Sequence, residues 1–378
     1  MTILYVSRLN PYNIKSWSGL NYYILKCLKK TGIPVEVLGP INSPYRLFLI
    51  GVRVLFKVFN IKYDSERNIV LSEYYASQIH NKIKDKKYKL IITSDTFLVS
   101  KLNTNIPIYI WTDMLFNTWY SSYFKNEKIH PRSLYEANIL ELEAIKKSKK
   151  IILTSKWAVK EAIKFYKLDS KKFEVVRFGS NINFNLKKNS ILKSILRKAK
   201  IKKLRLLSVG VDWDRKDMNR CIEISKILIK LGIPTKLVIV GSNEKNYKFQ
   251  SKNVEIFKFL NKSIPSQREK LKKLFLKSHF FLLMSKAEGC GVVLAEANNF
   301  GLPNITLSIG GISEMINNQI NGFAFKSSTD NNVIAKYIKD IFLDKKIYIS
   351  LSLKSFNFYK QYLTWGMHAK KLIHILKR

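Results

Sequence analysis

Short apolar runs alternate along the chain with longer stretches in which apolar residues recur every three or four positions. Ile3–Val6, Val35–Leu38, Lys89–Thr93, Ile106–Trp111, Lys150–Leu153 and Phe173–Val176 read as strands. They are continuous rather than alternating, as expected of parallel strands covered on both faces. Helical stretches separate most of them, over Leu20–Lys30, Ser133–Lys147 and Trp157–Tyr166. Gly32-Ile33-Pro34 stops the first of these before the next strand. A second alternation follows a Lys-rich polar stretch: Leu204–Val209 (strand), Met218–Leu231 (helix), Lys236–Val240 (strand), Pro265–Lys277 (helix), His279–Met284 (strand). Pro303–Leu307 and Phe323–Phe325 complete it, and helices run to the end. This alternation of strand and helix predicts α/β architecture, here as two doubly wound domains, which bind ligands beyond the carboxyl ends of their strands.

The most informative segment is Ala287-Glu288-Gly289-Cys290-Gly291-Val292-Val293-Leu294-Ala295-Glu296. It follows the apolar run His279–Met284, so the order is strand, Gly-rich turn, helix. That order points free backbone N–H groups and a positive helix end at an anion such as phosphate. A carboxylate does not hold phosphate but accepts hydrogen bonds from hydroxyls. Glu288 in the turn and Glu296 in the helix, flanking an anion pocket, suit a nucleotide-sugar. Arg215 and Lys216 follow Ser208-Val209-Gly210 at another strand end and are placed to neutralise a diphosphate. A solvated basic loop is the structural alternative. Asp212-Trp213-Asp214 spells DxD, a metal-diphosphate pattern, but two adjacent cations compete with a metal, so none is expected. Asp113 ends a strand and faces the predicted cleft, or else caps a turn. Gly19 follows the first strand without a GxGxxG pattern, and Gly310-Gly311-Ile312-Ser313-Glu314 opens another helix after a strand and offers backbone donors, or is simply a tight turn. The five histidines show no ligand spacing, and His279, flanked by apolar residues, reads as a hydrogen-bonded core residue. No GxSxG elbow supports serine hydrolysis.

Composition narrows the classes. With 378 residues, 46% apolar and 12% aromatic, the chain can bury two cores. Cys27, Cys221 and Cys290 are isolated, which argues against a disulfide framework or structural zinc. No stretch of eighteen apolar residues and no leader pattern are seen, so a cytoplasmic location is expected. The formal charge of +40 is spread along the chain rather than gathered in a stripe. An A/T-rich genome, attraction to anionic lipid or phosphorylated substrate, and, last, nucleic acid are its candidate causes. Within Tyr45–Lys62, Arg46, Arg53 and Lys57 recur at helical spacing, while Leu47, Phe48, Ile50, Val54, Leu55, Phe56, Val58 and Phe59 fill the remainder. Such a helix packs on a sheet or lies in a membrane interface.

Together these segments resemble the retaining GT-B glycosyltransferases of family 4, once called group 1. The resemblance rests on Glu288/Glu296, which looks like that family's E-x7-E signature, with Phe300-Gly301-Leu302-Pro303, Gly310-Gly311 and Asn321-Gly322-Phe323 downstream. It extends through Trp17-Ser18-Gly19, Trp111-Thr112-Asp113, Ser155–Ala158, Phe178-Gly179 and Gly210–Trp213. It implies two Rossmann-like domains facing across a cleft: 1–183 for the acceptor, 184–355 for the nucleotide-sugar, and 356–378 as a C-terminal helix crossing back to the first. It further implies that Glu288 contacts donor-sugar hydroxyls, Glu296 the ribose, and the backbone of Gly289, Cys290, Gly291 and Val292 the sugar or diphosphate. Arg215 and Lys216 would hold the diphosphate, with Gly19 approaching it, and Lys258, Phe259 and Leu260 would pack the base. Asp113 would lie near the reacting carbon or acceptor. The chain departs from the family where many members have Gly-Arg (here Gly210-Val211) and His-Asp (here Thr112-Asp113). The implied activity is metal-independent, retaining transfer from a nucleoside-diphosphate sugar, used as co-substrate without further cofactor, to an envelope glycan or lipid-linked acceptor. Peripheral contact with the inner face of the plasma membrane accompanies that expectation, and nucleic acid does not. A GT-B sugar-nucleotide epimerase is the alternative within enzymes, and a basic nucleic-acid-binding protein the alternative outside them.

Overall fold

A computed structural model of the chain describes residues 2–125, 127–182 and 184–377. The chain divides into two compact units, Met1–Arg177 with His368–Arg378, and Phe178–Met367. Each is built on a six-stranded, wholly parallel sheet.

In the first unit the strands are β1 (Thr2–Val6), β2 (Val35–Leu38), β3 (Tyr88–Thr93), β4 (Ile108–Thr112), β5 (Ser148–Leu153) and β6 (Phe173–Val175), in the order β2-β1-β3-β4-β5-β6. Its core joins Leu4, Val6, Ile91, Ile110 and Ile151 from the sheet to Leu71, Tyr75 and Ile79 from the helix Ile69–Lys84. Asn68 caps that helix by accepting from the Leu71 N–H at 3.3 Å.

In the second unit they are β7 (Leu204–Val209), β8 (Thr235–Val240), β9 (Val254–Phe257), β10 (Phe280–Leu283), β11 (Asn304–Leu307) and β12 (Gly322–Phe325), in the order β12-β11-β10-β7-β8-β9. β10 is buried throughout, as its unbroken apolar sequence predicts. β7 lies between β8 and β10, so the chain leaves it in one direction and returns on the other side. That reversal leaves a crevice at the carboxyl ends of β7 and β10, where such sheets bind ligands.

The structure adds elements that periodicity alone does not mark: β9, and the helices Ile69–Lys84 and Phe116–Tyr123. The unit boundary falls at Arg177/Phe178, and the return to the first unit begins at His368. The helix Lys345–Tyr362 belongs to the second unit because Tyr348, Leu351 and Phe356 are buried in its core. His279 is a buried core histidine. Its Nδ1 accepts from the Arg205 N–H at 2.9 Å and its Nε2 lies 3.2 Å from the Lys198 carbonyl. Burial, with Lys198 nearby, pushes its pKa down to about 4.

Candidate active site

The sheet order brings together two loops that are about seventy residues apart in sequence. The loop after β7 carries Arg215 and Lys216, and the loop after the neighbouring β10 carries Glu288. Lys216 Nζ donates to Glu288 Oε2, and Arg215 Nη1 reaches the same oxygen at 3.4 Å. Arg215 Nη1 also donates to the Ala287 carbonyl at 3.1 Å, and its own carbonyl accepts from the Lys286 N–H at 2.8 Å. The two loops are thus latched by backbone as well as charge.

Lys216 and Glu288 side chains are only 9% and 11% exposed, so this is a largely buried pair. Burial alone would push the Glu288 carboxyl up; Lys216 and Arg215 more than reverse it and hold the group below its ordinary value. A glycine makes the arrangement fit. A Cβ on Gly210 would stand 2.8 Å from Lys216 Cγ, so only glycine lets the lysine stem lie across the end of β7.

Glu288 is fixed from the other side by the Gly311 N–H, which donates to its carbonyl at 3.1 Å. Gly291, at φ +66°, turns the chain into the helix Val292–Asn299. A residue with a Cβ adopts that conformation only at a cost. The Gly-rich turn and helix start expected from sequence are therefore present, with Gly289, Cys290 and Gly291 buried and Val292 opening the helix. The helix begins four residues after Glu288, so the two glutamates do not share a straight helix. Glu296 lies inside it, 2% exposed, and accepts from Lys262 Nζ at 2.5 Å.

Lys258, Phe259 and Leu260 lie in the loop after β9, the same loop that supplies Lys262. Phe259 is exposed there. Asp212 is engaged by Arg215, through the backbone N–H at 3.0 Å and Nε at 3.2 Å. Among the described residues no group of three or more His, Cys, Asp or Glu side chains is arranged to hold a metal ion.

Gly19 and Asp113 belong to the first unit and the other expected residues to the second. Gly19, at φ +86°, caps the helix Leu20–Lys29. Trp17 and Ser18 before it also have positive φ, at 46° and 56°, an uncommon run for residues carrying a Cβ. Asp113 follows β4, where Oδ1 accepts from the Met114 N–H at 3.0 Å and its carbonyl accepts from Thr154 Oγ1 at 3.1 Å. At the same ends of this sheet Arg8 is buried, donating to Glu66 at 2.9 Å, while its N–H reaches Asp95 at 3.3 Å. Sequence reasoning missed Arg8 and Lys262, since among 67 basic residues a single cation carries no local signal.

Residues 193–354 match the family model described as glycosyl transferases group 1. An uncharacterized glycosyltransferase of Haemophilus influenzae is 28% identical over 182 residues, which are 47% of this chain and 48% of that protein. The match therefore spans about half the length of that curated relative. Among solved structures, a glycosyltransferase from Rickettsia africae is similar over 100% of this chain and 97% of its own, with 16% identity and a TM-score of 0.66. The Anabaena protein HepE, solved in complex with UDP-glucose, is similar over 100% and 99%, with 14% identity and a TM-score of 0.64. The chain thus has the GT-B fold, and its residues 193–354 are a match to the group 1 glycosyl transferases.

Proposed function

We propose that this chain transfers a sugar from a nucleoside diphosphate to an envelope glycan or lipid-linked acceptor, with retention at the anomeric carbon, as a family 4 enzyme. One observation carries the proposal: Lys216 and Arg215 converge on Glu288 where the β10 loop opens the helix Val292–Asn299. Two cations and a helix N-terminus form an anion site, and the carboxylate among them accepts from sugar hydroxyls. UDP-glucose in the similar HepE structure supports the donor class.

In this mechanism the diphosphate takes up the charges of Arg215 and Lys216, and the N–H groups of Cys290, Gly291 and Val292 meet the sugar or diphosphate. Stabilising the departing diphosphate then supplies much of the rate without a metal. Glu288 meets the donor sugar and Glu296 the ribose. Neither acts as one of a hydrolase's carboxylate pair. Lys258, Phe259 and Leu260 pack the base. Gly19 gives the diphosphate close backbone approach, and Asp113 serves the reacting carbon or acceptor.

Thermal-shift screening against UDP-, GDP- and ADP-sugars tests the proposal, because a ligand of the folded state raises its melting temperature by mass action. One donor should stabilise the protein and be consumed when acceptor is supplied. If none stabilises it while oligonucleotides do, with a steep salt slope, the glycosyl-transfer reading fails.

A further inference from the structure

The helix Tyr45–Val58 has two faces with different fates. Leu49 is buried, and Val52 and Phe56 pack against the core of the first unit. Phe56 stacks on Tyr63 with ring centroids 5.6 Å apart. The opposite face carries Leu47, Phe48, Val54, Leu55 and Val58, all exposed, the extremes being Phe48 at 71%, Leu47 at 76% and Val58 at 78%. At about 100° per residue these five side chains fall within an arc of roughly 120°. Phe59, just past the helix end, is exposed as well. A run of this size is far beyond the scattered surface apolar residues of an ordinary soluble domain.

The same rotation places Arg46, Arg53 and Lys57 within about 40° of one another, along one flank of the apolar face. Arg46 is held by Glu66 at 2.8 Å, whereas Arg53 and Lys57 stand exposed. The helix contains no acidic residue. Its 14 residues give a length of about 21 Å, short of the roughly 30 Å needed to cross a bilayer. An apolar face with a cationic flank on a short helix suits the boundary between headgroups and acyl chains.

We propose that this face docks the protein on an anionic lipid bilayer. Leu47, Phe48, Val54, Leu55 and Val58 enter the interface, and Arg53 and Lys57 meet anionic headgroups. Charge selects this occupant over a second copy of the chain. Two copies, each of formal charge +40, repel, whereas an anionic leaflet attracts the flank and the rest of the molecule together.

Cosedimentation of the full chain with phosphatidylcholine vesicles, with and without phosphatidylglycerol, tests the proposal. Binding by the parent protein alone decides little, because so basic a chain adheres to anionic surfaces by any face. Two variants change exposed positions only: L47S/L55S/V58S, and R53Q/K57Q. Each should keep its helical circular dichroism. Removing two interfacial cations should weaken partitioning onto the anionic vesicles roughly 30-fold, and removing the three apolar side chains should weaken it by at least about 10-fold. A Phe48→Trp reporter should shift its emission to the blue on anionic vesicles. Folded variants that bind like the parent would overturn the proposal, since general surface charge would then hold the membrane. A parent that self-associates in gel filtration, with L47S/L55S/V58S turning it monomeric, would overturn it in favour of a second copy. No nucleotide or sugar enters the assay, so its result stands apart from the donor-site reading.

Discussion

Replacing Glu288 by Gln probes the site most sharply, because stability and nucleotide affinity should move in opposite directions. The carboxylate is the shared partner of Lys216 and Arg215, and both it and Lys216 are nearly buried. Removing one partner of a buried pair costs about 3–5 kcal/mol, mostly from the charge left uncompensated. The lower end applies here, because Gln retains an acceptor oxygen and Arg215 keeps Asp212 and the Ala287 carbonyl. In a unit of this size about 3 kcal/mol lowers the melting temperature by roughly 6–12 °C. Free nucleoside diphosphate should nevertheless bind the variant more tightly, by roughly 10-fold or about 1.4 kcal/mol. Under the proposed donor placement, the phosphates would compete with the carboxylate for the same ammonium and guanidinium in the unaltered protein, and in the variant they would not. Turnover should collapse, since in the proposed mechanism the sugar would lose its charged hydrogen-bond acceptor next to the reacting centre. Glu296→Gln should behave differently. Its partner Lys262 is more exposed and stays solvated, so freeing it gains little. Loss of the ribose contact should weaken nucleoside diphosphate by about 1–3 kcal/mol. Calorimetric titration of both folded variants with the diphosphate of the stabilising donor measures both effects. Weaker binding in the Glu288 variant would refute the competition. Unchanged binding and turnover in both would refute the assignment of this loop to the donor.

Activity with the stabilising donor should survive excess EDTA, and loss on chelation with recovery in Mg²⁺ or Mn²⁺ would make Asp212 and Asp214 metal ligands. Gly210→Ala should depress diphosphate affinity by displacing the Lys216 stem, with wild-type affinity in a folded variant as the contrary result. Burial holds His279 down to about 4 and His368 to about 3, so from pH 6.5 to 4 the unfolded chain takes up protons that the folded chain refuses. Stability should therefore fall as pH drops through that window, by up to about 2.7 kcal/mol per pH unit. A flat denaturation midpoint between pH 6.5 and 4.5 would contradict it. Lys198, fully buried with Nζ donating to the Ser278 carbonyl at 2.8 Å, has its pKa pushed down to about 7 by burial. Stability should accordingly rise with pH from 7 towards 10, and Lys198→Met should flatten that rise in the same measurement.

The parts of this fold that were legible in the sequence share one physical cause. β1 and β10 are paired on both sides and covered on both faces, so nearly every position must be apolar and the run stands out. β9 lies at the sheet edge, and its Val-Glu-Ile-Phe alternates between buried and partly exposed, too short a pattern to separate from loop. In the helix Ile69–Lys84 buried Ser72 and the β-branched and polar residues around it blur the helical period, although its Asn68 cap is an ordinary start signal. The candidate site divides in the same way. Glycines beside Glu288, and paired cations after a strand, are local facts, and both are visible. Their meeting is not local. It follows from β7 and β10 being neighbours in the sheet, a consequence of chain reversal that no spacing within either loop records. Lys262 shows the limit most plainly, since its role exists only through Glu296, 34 positions away, in a chain where lysine is everywhere. The Tyr45–Lys62 segment was ambiguous for a different reason. Helical spacing assigns residues to faces, but it does not say which face the rest of the protein covers. Here the cover reaches Leu49, Val52 and Phe56 and stops, leaving a second apolar face beside the cations. Packing on the sheet and lying on a membrane therefore are not rival fates for this helix, because its two apolar faces can serve both at once.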